Sequence, residues 1–234
     1  MPERLKKAKE FLLELIFPTF CLVCKKEDVN FVCTTCSSKL QPEQSAVCPI
    51  CLKTESEFIC SLCRAQTPLS SLTYCFSYED KRVAHLIHAL KYRSIHKLSE
   101  FFAEKMFQKV SYYPFNDSWI IIPVPLHWQR MNERGYNQSK LISAKLAARL
   151  HITLETTALV KTHYTKTQTK FSKEERRENL AGQFAVVTQE KVMGKNILLV
   201  DDVATTLATL EICATTLKGA GATNVWALTI ARAK

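Results

Sequence analysis

Residues 196–210 read N-I-L-L-V-D-D-V-A-T-T-L-A-T-L, and the rest of the chain takes its meaning from them. Residues 197–200 are an unbroken apolar run of strand length, the pattern of a strand covered on both faces of a parallel sheet. Two adjacent carboxylates, Asp201 and Asp202, stand where that strand is expected to end, and Thr205, Thr206 and Thr209 make a hydroxyl-rich turn. From about Ala208, Leu210, Cys213, Ala214 and Leu217 recur at helical spacing, until Gly219 and Gly221 offer a stop. Strand, polar turn and helix N-terminus bring N–H groups and hydroxyls to one point, which suits an anion. Carboxylates there would repel a phosphate, so they must face something else, and a sugar diol donates to them naturally. A ligand with a phosphate at one end and a ribose in the middle satisfies both halves. A buried strand with a polar turn and no ligand is the plainer alternative.

The neighbouring stretches repeat the alternation of strand and helix. Residues 72–78 read as a first strand, followed by helices over 82–92 and about 96–110. Residues 119–122 form a second buried strand that ends in Pro123-Val124-Pro125. The turn after it is dense with Arg130, Arg134, Asn137 and Gln138, and a helix begins near Ser139 and runs to Leu150. Planar guanidinium and amide groups at the C-terminal end of a parallel strand lie where open α/β sheets bind ligands. Residues 161–182 are basic, threonine-rich and without a sustained apolar period, so a long loop with a helical turn over 174–179 is expected; such loops are usually functional. Residues 184–187 and 225–230 read as further strands. The expected fold class is α/β, a doubly wound, mainly parallel sheet.

The cysteines divide off a second unit. Cys21-x-x-Cys24, eight residues and Cys33-x-x-Cys36 are repeated at an offset of 27 residues as Cys48-x-x-Cys51, eight residues and Cys60-x-x-Cys63. Each C-x-x-C presents two thiolates to one cation, and two such knuckles complete a closed, structural four-thiolate zinc site. Disulfides compete with this reading, but no export signal is read here and a cytosolic setting disfavours them. Sequential pairing is expected over an interleaved cross-brace. Metal binding would supply folding energy that so small a segment cannot draw from a core. Cys75 and Cys213 fall outside the repeat and suit buried apolar positions. His85 and His88, three apart, lack a third ligand and read as surface or helix-end residues.

Four segments resemble a known family. D-D-V-x-T-T at 201–206 is similar to the phosphoribosyl pyrophosphate (PRPP) motif of type I phosphoribosyltransferases, in the D-D-V-x-T-T-G-x-T form of ComF-type competence proteins. Leu207 departs from it, standing where glycine would reach positive φ freely. P-V-P-L-x-x-x-R-x-x-x-R-G-Y-N-Q at 123–138 and Q-x-x-F-S-x-x-E-R-x-x-N at 168–179 complete the resemblance, the latter with Phe171 for the usual leucine. Lys91 and Tyr92 resemble the family's K-Y-x-G segment.

The resemblance implies two bound groups. PRPP with magnesium would be held by Lys91, Arg130, Arg134, Asn137, Gln138, Gln168, Arg176, Arg177, Asn179, Asp201, Asp202 and the loop Ala204, Thr205, Thr206, Leu207, Ala208 and Thr209; zinc would sit in the two cysteine sites. It also implies a role in natural competence, with single-stranded DNA and a helicase-like ATPase as partners. An active phosphoribosyltransferase is the alternative, with Asp201, Asp202, Arg130 and Arg134 as its catalytic groups and the Cys-rich segment as the stretch to fill the place of a base-recognising hood. A PRPP-sensing scaffold is the third.

Composition bounds these readings. The chain has 234 residues, 47% of them hydrophobic, and a net charge of +10. Positions 81–182 hold 18 Lys and Arg against 8 Asp and Glu, which is the whole excess and suits a polyanion. Residues 4–17 read as a short basic amphipathic helix that packs on the next domain or, alternatively, lies on a membrane surface. The expected organisation is an amphipathic helix within 1–20, a double zinc ribbon over 21–66 and a phosphoribosyltransferase-like domain over 70–234. The expected location is the cytoplasm, with the inner face of the membrane as a place of association.

Overall fold

The computed structural model describes residues 19–43, 48, 51, 59–162 and 182–233. The N-terminal helix expected over 4–17 and most of the loop over 161–182, with its helical turn, lie outside them. In order, the elements are α1 (Thr34–Lys39), β1 (Ser71–Ser77), α2 (Lys81–Tyr92), α3 (Leu98–Val110), β2 (Trp119–Pro123), α4 (Trp128–Arg134), α5 (Gln138–Leu150), β3 (Thr153–Leu154), β4 (Leu159–Lys161), β5 (Phe184–Val186), β6 (Asn196–Ala204), α6 (Ala208–Gly219) and β7 (Asn224–Arg232).

Five strands form one sheet in the order β1-β7-β6-β2-β3, with every pairing parallel. The apolar run of β6 lies at its centre, with Ile197 opposite Ile120 of β2 on one side and Val225 of β7 on the other. Both faces are covered, as that run predicts. Ile197, Leu199, Ile120 and Ile122 share one buried cluster with Leu210, Cys213, Ala214 and Leu217 of α6. Leu198, Val200 and Ile121 share the other with α2, α3 and α5.

β6 does not end at Val200. It continues to Ala204 because β7 still pairs with it, Asp201 opposite Thr229 and Ala204 opposite Arg232. β2, in contrast, stops at Pro123 opposite Val200. Val124 N–H still donates to Val200 O, so the donor missing from Pro123 turns toward the side where β3 has already ended. The acids therefore sit within a strand that outruns its neighbour. The β2-to-β3 crossover helix α5 lies on one face of the sheet and the β6-to-β7 helix α6 on the other. The crossovers thus reverse between β2 and β6, which is where open α/β sheets leave a crevice beyond their strand ends.

Three other expectations change. The polar turn after β2 contains the seven-residue helix α4, closed by Gly135 at φ 75°, the left-handed cap that glycine adopts without penalty. The strand expected over 184–187 leaves the main sheet and pairs antiparallel with β4. β4 and β3, at three and two residues, were too short to register as periodic patterns.

The Cys-rich segment crosses the β1 edge of the sheet. Cys21, Cys33 and Cys36 join the cluster on the α3 face, while Cys48 and Cys63 join the cluster on the α6 face. Between them Glu43 N–H donates to Cys75 O on β1, covering an otherwise open strand edge. Two buried lysines of α3 anchor the crossing: Lys105 Nζ donates to Ser37 O at 2.8 Å and Lys109 Nζ to Glu43 O.

Candidate functional site

A cavity of about 290 Å³ opens in the crevice beyond β2 and β6. Its lining gathers residues from three of the blocks singled out above: Lys91, then Arg130, Arg134 and Gln138, then Asp201, Asp202, Thr205 and Thr209. Tyr78, Lys161 and Phe184 also line it. By sequence Tyr78 is only the last residue of an expected strand, Phe184 the first of another, and Lys161 the first of the expected functional loop.

The floor is a wired acid pair. Asp202, 4% exposed, receives Lys91 Nζ on Oδ1 at 2.8 Å and Gln138 Nε2 on Oδ2 at 2.5 Å. Asp201 Oδ1 accepts from Ser139 Oγ and from the Asp202 backbone N–H, both at 2.9 Å. Burial first, and then the charge of Asp202, push the Asp201 carboxyl up to about 7, against the pull of that N–H, Lys91 and Ser139. Such a carboxyl exchanges its proton near neutrality, a property common in functional sites.

The rim is cationic. Arg134 Nη1 donates to Gln138 Oε1 at 3.3 Å, and its guanidinium stacks on Tyr92 with the carbon 4.9 Å from the ring centre. Lys161 lies over the Phe184 ring at 5.2 Å, and burial followed by Arg130 lowers its ammonium from the ordinary lysine range. Asn137 does not line the cavity. It caps α5 by accepting from Ser139 and Lys140 N–H, and its Nδ2 donates to Val124 O, fixing the end of β2 against the start of α5.

The threonine loop reaches a positive φ at the position where the resemblance has glycine, despite its leucine. Leu207 sits at φ 64°, ψ −11°, just ahead of α6, and its side chain packs in the buried cluster of the α6 face. A left-handed leucine costs about 1–2 kcal/mol, which burial of that side chain at about 1.5–3 kcal/mol offsets. Ser94, at the glycine position of the K-Y-x-G segment, likewise keeps a positive φ of 52°. Residues Thr205, Thr206, Leu207, Ala208 and Thr209, with Ala204, border a small hollow of about 40 Å³ beside Asp201. Gln168, Arg176, Arg177 and Asn179 lie outside the described residues.

The eight repeat cysteines form two sequential groups, Cys21/Cys24/Cys33/Cys36 and Cys48/Cys51/Cys60/Cys63, each with four sulfurs within 4.8 Å of one another. Zinc–sulfur bonds near 2.3 Å place tetrahedral sulfurs about 3.8 Å apart. The Cys24–Cys33 and Cys51–Cys60 separations are both 3.8 Å. Burial would raise the Cys21 thiol, but backbone N–H groups of Cys33, Cys24 and Val23 bring it down to about 6; burial and the neighbouring sulfurs push Cys36 up to about 12. One thiolate is thus ready while another needs a cation beside it, as four crowded sulfurs require. Each group has the geometry of a structural zinc site, and Cys75 and Cys213 are fully buried away from both.

A parallel sheet with a crevice at its reversal point, bordered by an acid pair, a cationic rim and a hydroxyl loop, makes an open α/β unit that carries a Cys-rich segment with two four-sulfur groups. No family model matches the chain. It is 40% identical over 111 residues to the DNA utilization protein YhgH of Escherichia coli strain K12, covering 46% of this chain and 48% of that protein. It is 36% identical over 114 residues to competence protein F of Haemophilus influenzae, covering 48% and 50%. With competence protein ComFC of Bacillus subtilis it shares 33% identity over 128 residues, covering 54% and 48%. The chain spans about half the length of these curated relatives, and over that half it is similar to proteins named for competence and for DNA utilization. Among solved structures it aligns with a glutamine PRPP amidotransferase from B. subtilis at TM-score 0.39 and 20% identity, covering 57% of this chain and 26% of that one. A hypoxanthine phosphoribosyltransferase from Staphylococcus aureus aligns at TM-score 0.37 and 12% identity, covering 57% and 62%.

Proposed function

We propose that this chain is a DNA-handling protein of natural competence that binds PRPP, with magnesium, in the cavity and single-stranded DNA on the basic surface around it. The convergence of Asp201 and Asp202 with Lys91, Arg130, Arg134, Lys161 and the threonine loop around one cavity carries the reading. The acids accept from ribose hydroxyls, the loop N–H groups and hydroxyls of Thr205, Thr206 and Thr209 take the 5′-phosphate, and the cations meet the pyrophosphate. Magnesium on the pyrophosphate would neutralise part of its charge. Tyr92 and Trp128 are 60% and 61% exposed beside Lys91 and Arg130, which suits base stacking next to cations. Tyr136, also in the Arg-rich turn, is buried and does not offer a stacking face: its hydroxyl donates to Leu90 O and its ring packs on His96.

Ligand binding without nucleobase transfer is favoured by the place of the Cys-rich segment. Among the described residues none from that segment lines the cavity, where a base-recognising hood would stand. Calorimetric titration with magnesium and PRPP tests the cavity: micromolar binding is expected, lost in Asp202→Asn. Strand binding is tested by fluorescence anisotropy of labelled oligo(dT), whose affinity should fall steeply with salt. An affinity indifferent to salt, or no heat with PRPP, would sink the corresponding half. Pyrophosphate release from PRPP with any purine or pyrimidine would move the reading to a working transferase.

A further inference from the structure

We infer that Arg134 couples the cavity to the exposed ring of Tyr92, so that an anion bound inside strengthens single-stranded nucleic acid binding outside. The inference rests on the reading proposed above and adds a regulation to it. Arg134 lines the cavity, yet both of its terminal nitrogens are engaged elsewhere: Nη1 donates to Gln138 Oε1 at 3.3 Å and Nη2 to Tyr92 Oη at 3.2 Å. Its guanidinium covers one region of the Tyr92 ring, 4.9 Å from the centroid, and His88 packs against the same ring at 4.7 Å. Gln138 in turn donates to Asp202, which pairs with Lys91, the residue before Tyr92. One polar chain thus runs from an exposed aromatic ring to the acid floor and returns to the same helix end.

Recognition of a phosphate group by arginine uses two parallel N–H bonds from one guanidinium. The bonds to Gln138 and Tyr92 use two of the five N–H groups of Arg134 and hold its guanidinium against the ring, so turning a parallel pair fully onto an anion means leaving Tyr92, and a base cannot stack where the guanidinium lies. An anion that draws Arg134 inward uncovers Tyr92, and a base that takes Tyr92 frees Arg134. Each ligand removes an obstacle to the other, so the coupling is positive and reciprocal. Simple charge repulsion between a bound anion and a strand has the opposite sign, so the direction of the effect discriminates between them.

The test measures oligo(dT) affinity by anisotropy at fixed ionic strength, with and without saturating magnesium pyrophosphate, while calorimetry follows pyrophosphate itself. Wild-type protein should bind the strand about five- to tenfold more tightly with pyrophosphate present. Tyr92→Leu should bind the strand more weakly, lose that increment and bind pyrophosphate at least as tightly as wild type. Because Tyr92 is exposed, the variant should melt as wild type does. Pyrophosphate bound by wild type with strand affinity unchanged or reduced overturns the coupling alone, as does an equal increment in Tyr92→Leu. No pyrophosphate bound, or no strand bound, overturns the underlying reading and the coupling with it.

Discussion

Lys105 and Lys109, beneath the Cys-rich segment, are 2% and 3% exposed, as deeply buried as Asp202 on the cavity floor. Under the segment each lysine meets a backbone carbonyl, and each repeat thiol meets three others at the spacing of a divalent cation. Donor faces acceptor, so burial there holds the chain together. In the cavity two carboxylates are adjacent, Asp201 is held up to about 7, cations crowd the rim and Leu207 takes a left-handed backbone. Like charges and strain persist there only because the sheet beneath over-determines them, a combination that clusters at functional sites. The contrast separates two classes of substitution: those that unfold the protein without touching the cavity, and those that empty the cavity without unfolding the protein.

The largest effect is expected from the metal side. Chelation, or Cys36→Ser, should abolish cooperative melting of the segment and lower the melting temperature by roughly 10 °C or more, since structural zinc supplies folding energy outright. Metal analysis should read two zinc ions per chain in wild type and one in the variant. Retention of both would break the comparison at its first term. Arg130→Ala should come next, weakening PRPP by roughly a hundredfold, the scale of a lost charged hydrogen bond of about 2–3 kcal/mol, with the melt little changed.

Asp201→Asn tests the opposed signs within one residue. The folded carboxyl keeps its proton up to about 7, whereas the ordinary value is 3.8, so folding binds an extra proton between those limits. The Asp201 contribution to stability therefore falls as pH rises through that window. The variant should be more stable than wild type at pH 8, by on the order of 1 kcal/mol, and indistinguishable near pH 3.5, while binding PRPP more weakly. In wild type, PRPP affinity should rise between pH 6 and 8 as the carboxylate forms. Leu207→Gly should produce the smallest change: the backbone already has the left-handed shape, so PRPP affinity should move less than about threefold. Lost side-chain burial should cost about 1 kcal/mol net, read by chemical denaturation. A large gain in affinity would mean that the leucine obstructs the cradle.

Much of the site was legible because its residues come in local blocks. The acid pair and threonines follow one strand, Arg130, Arg134 and Gln138 follow another, and a parallel sheet must bring strand ends together. Asn137 was legible as polar and near the site, but capping donors decide its place, and they are set by the helix start. Tyr78, Lys161 and Phe184 carried no such signal. An aromatic at each of two strand ends and a lysine at the mouth of a basic loop do not point to a common place, and only the pairing of Lys161 with Phe184 across β4 and β5 brings those two to the wall.

Taken alone, the order of residues determined the types of the longer elements, the sulfur repeat with its sequential grouping, and the clustering of acids, hydroxyls and guanidiniums, because spacing and burial pattern are local properties. Tertiary structure decided the rest. β7 carries β6 four residues beyond the end of β2, which sets Asp201 and Asp202 in a strand rather than after it. Packing against α6 lets a leucine occupy a glycine's backbone shape, and crossing the β1 edge puts the two sulfur groups on opposite faces of the sheet. Those outcomes depend on which segments meet, and contacts between distant segments leave no periodic trace in either one.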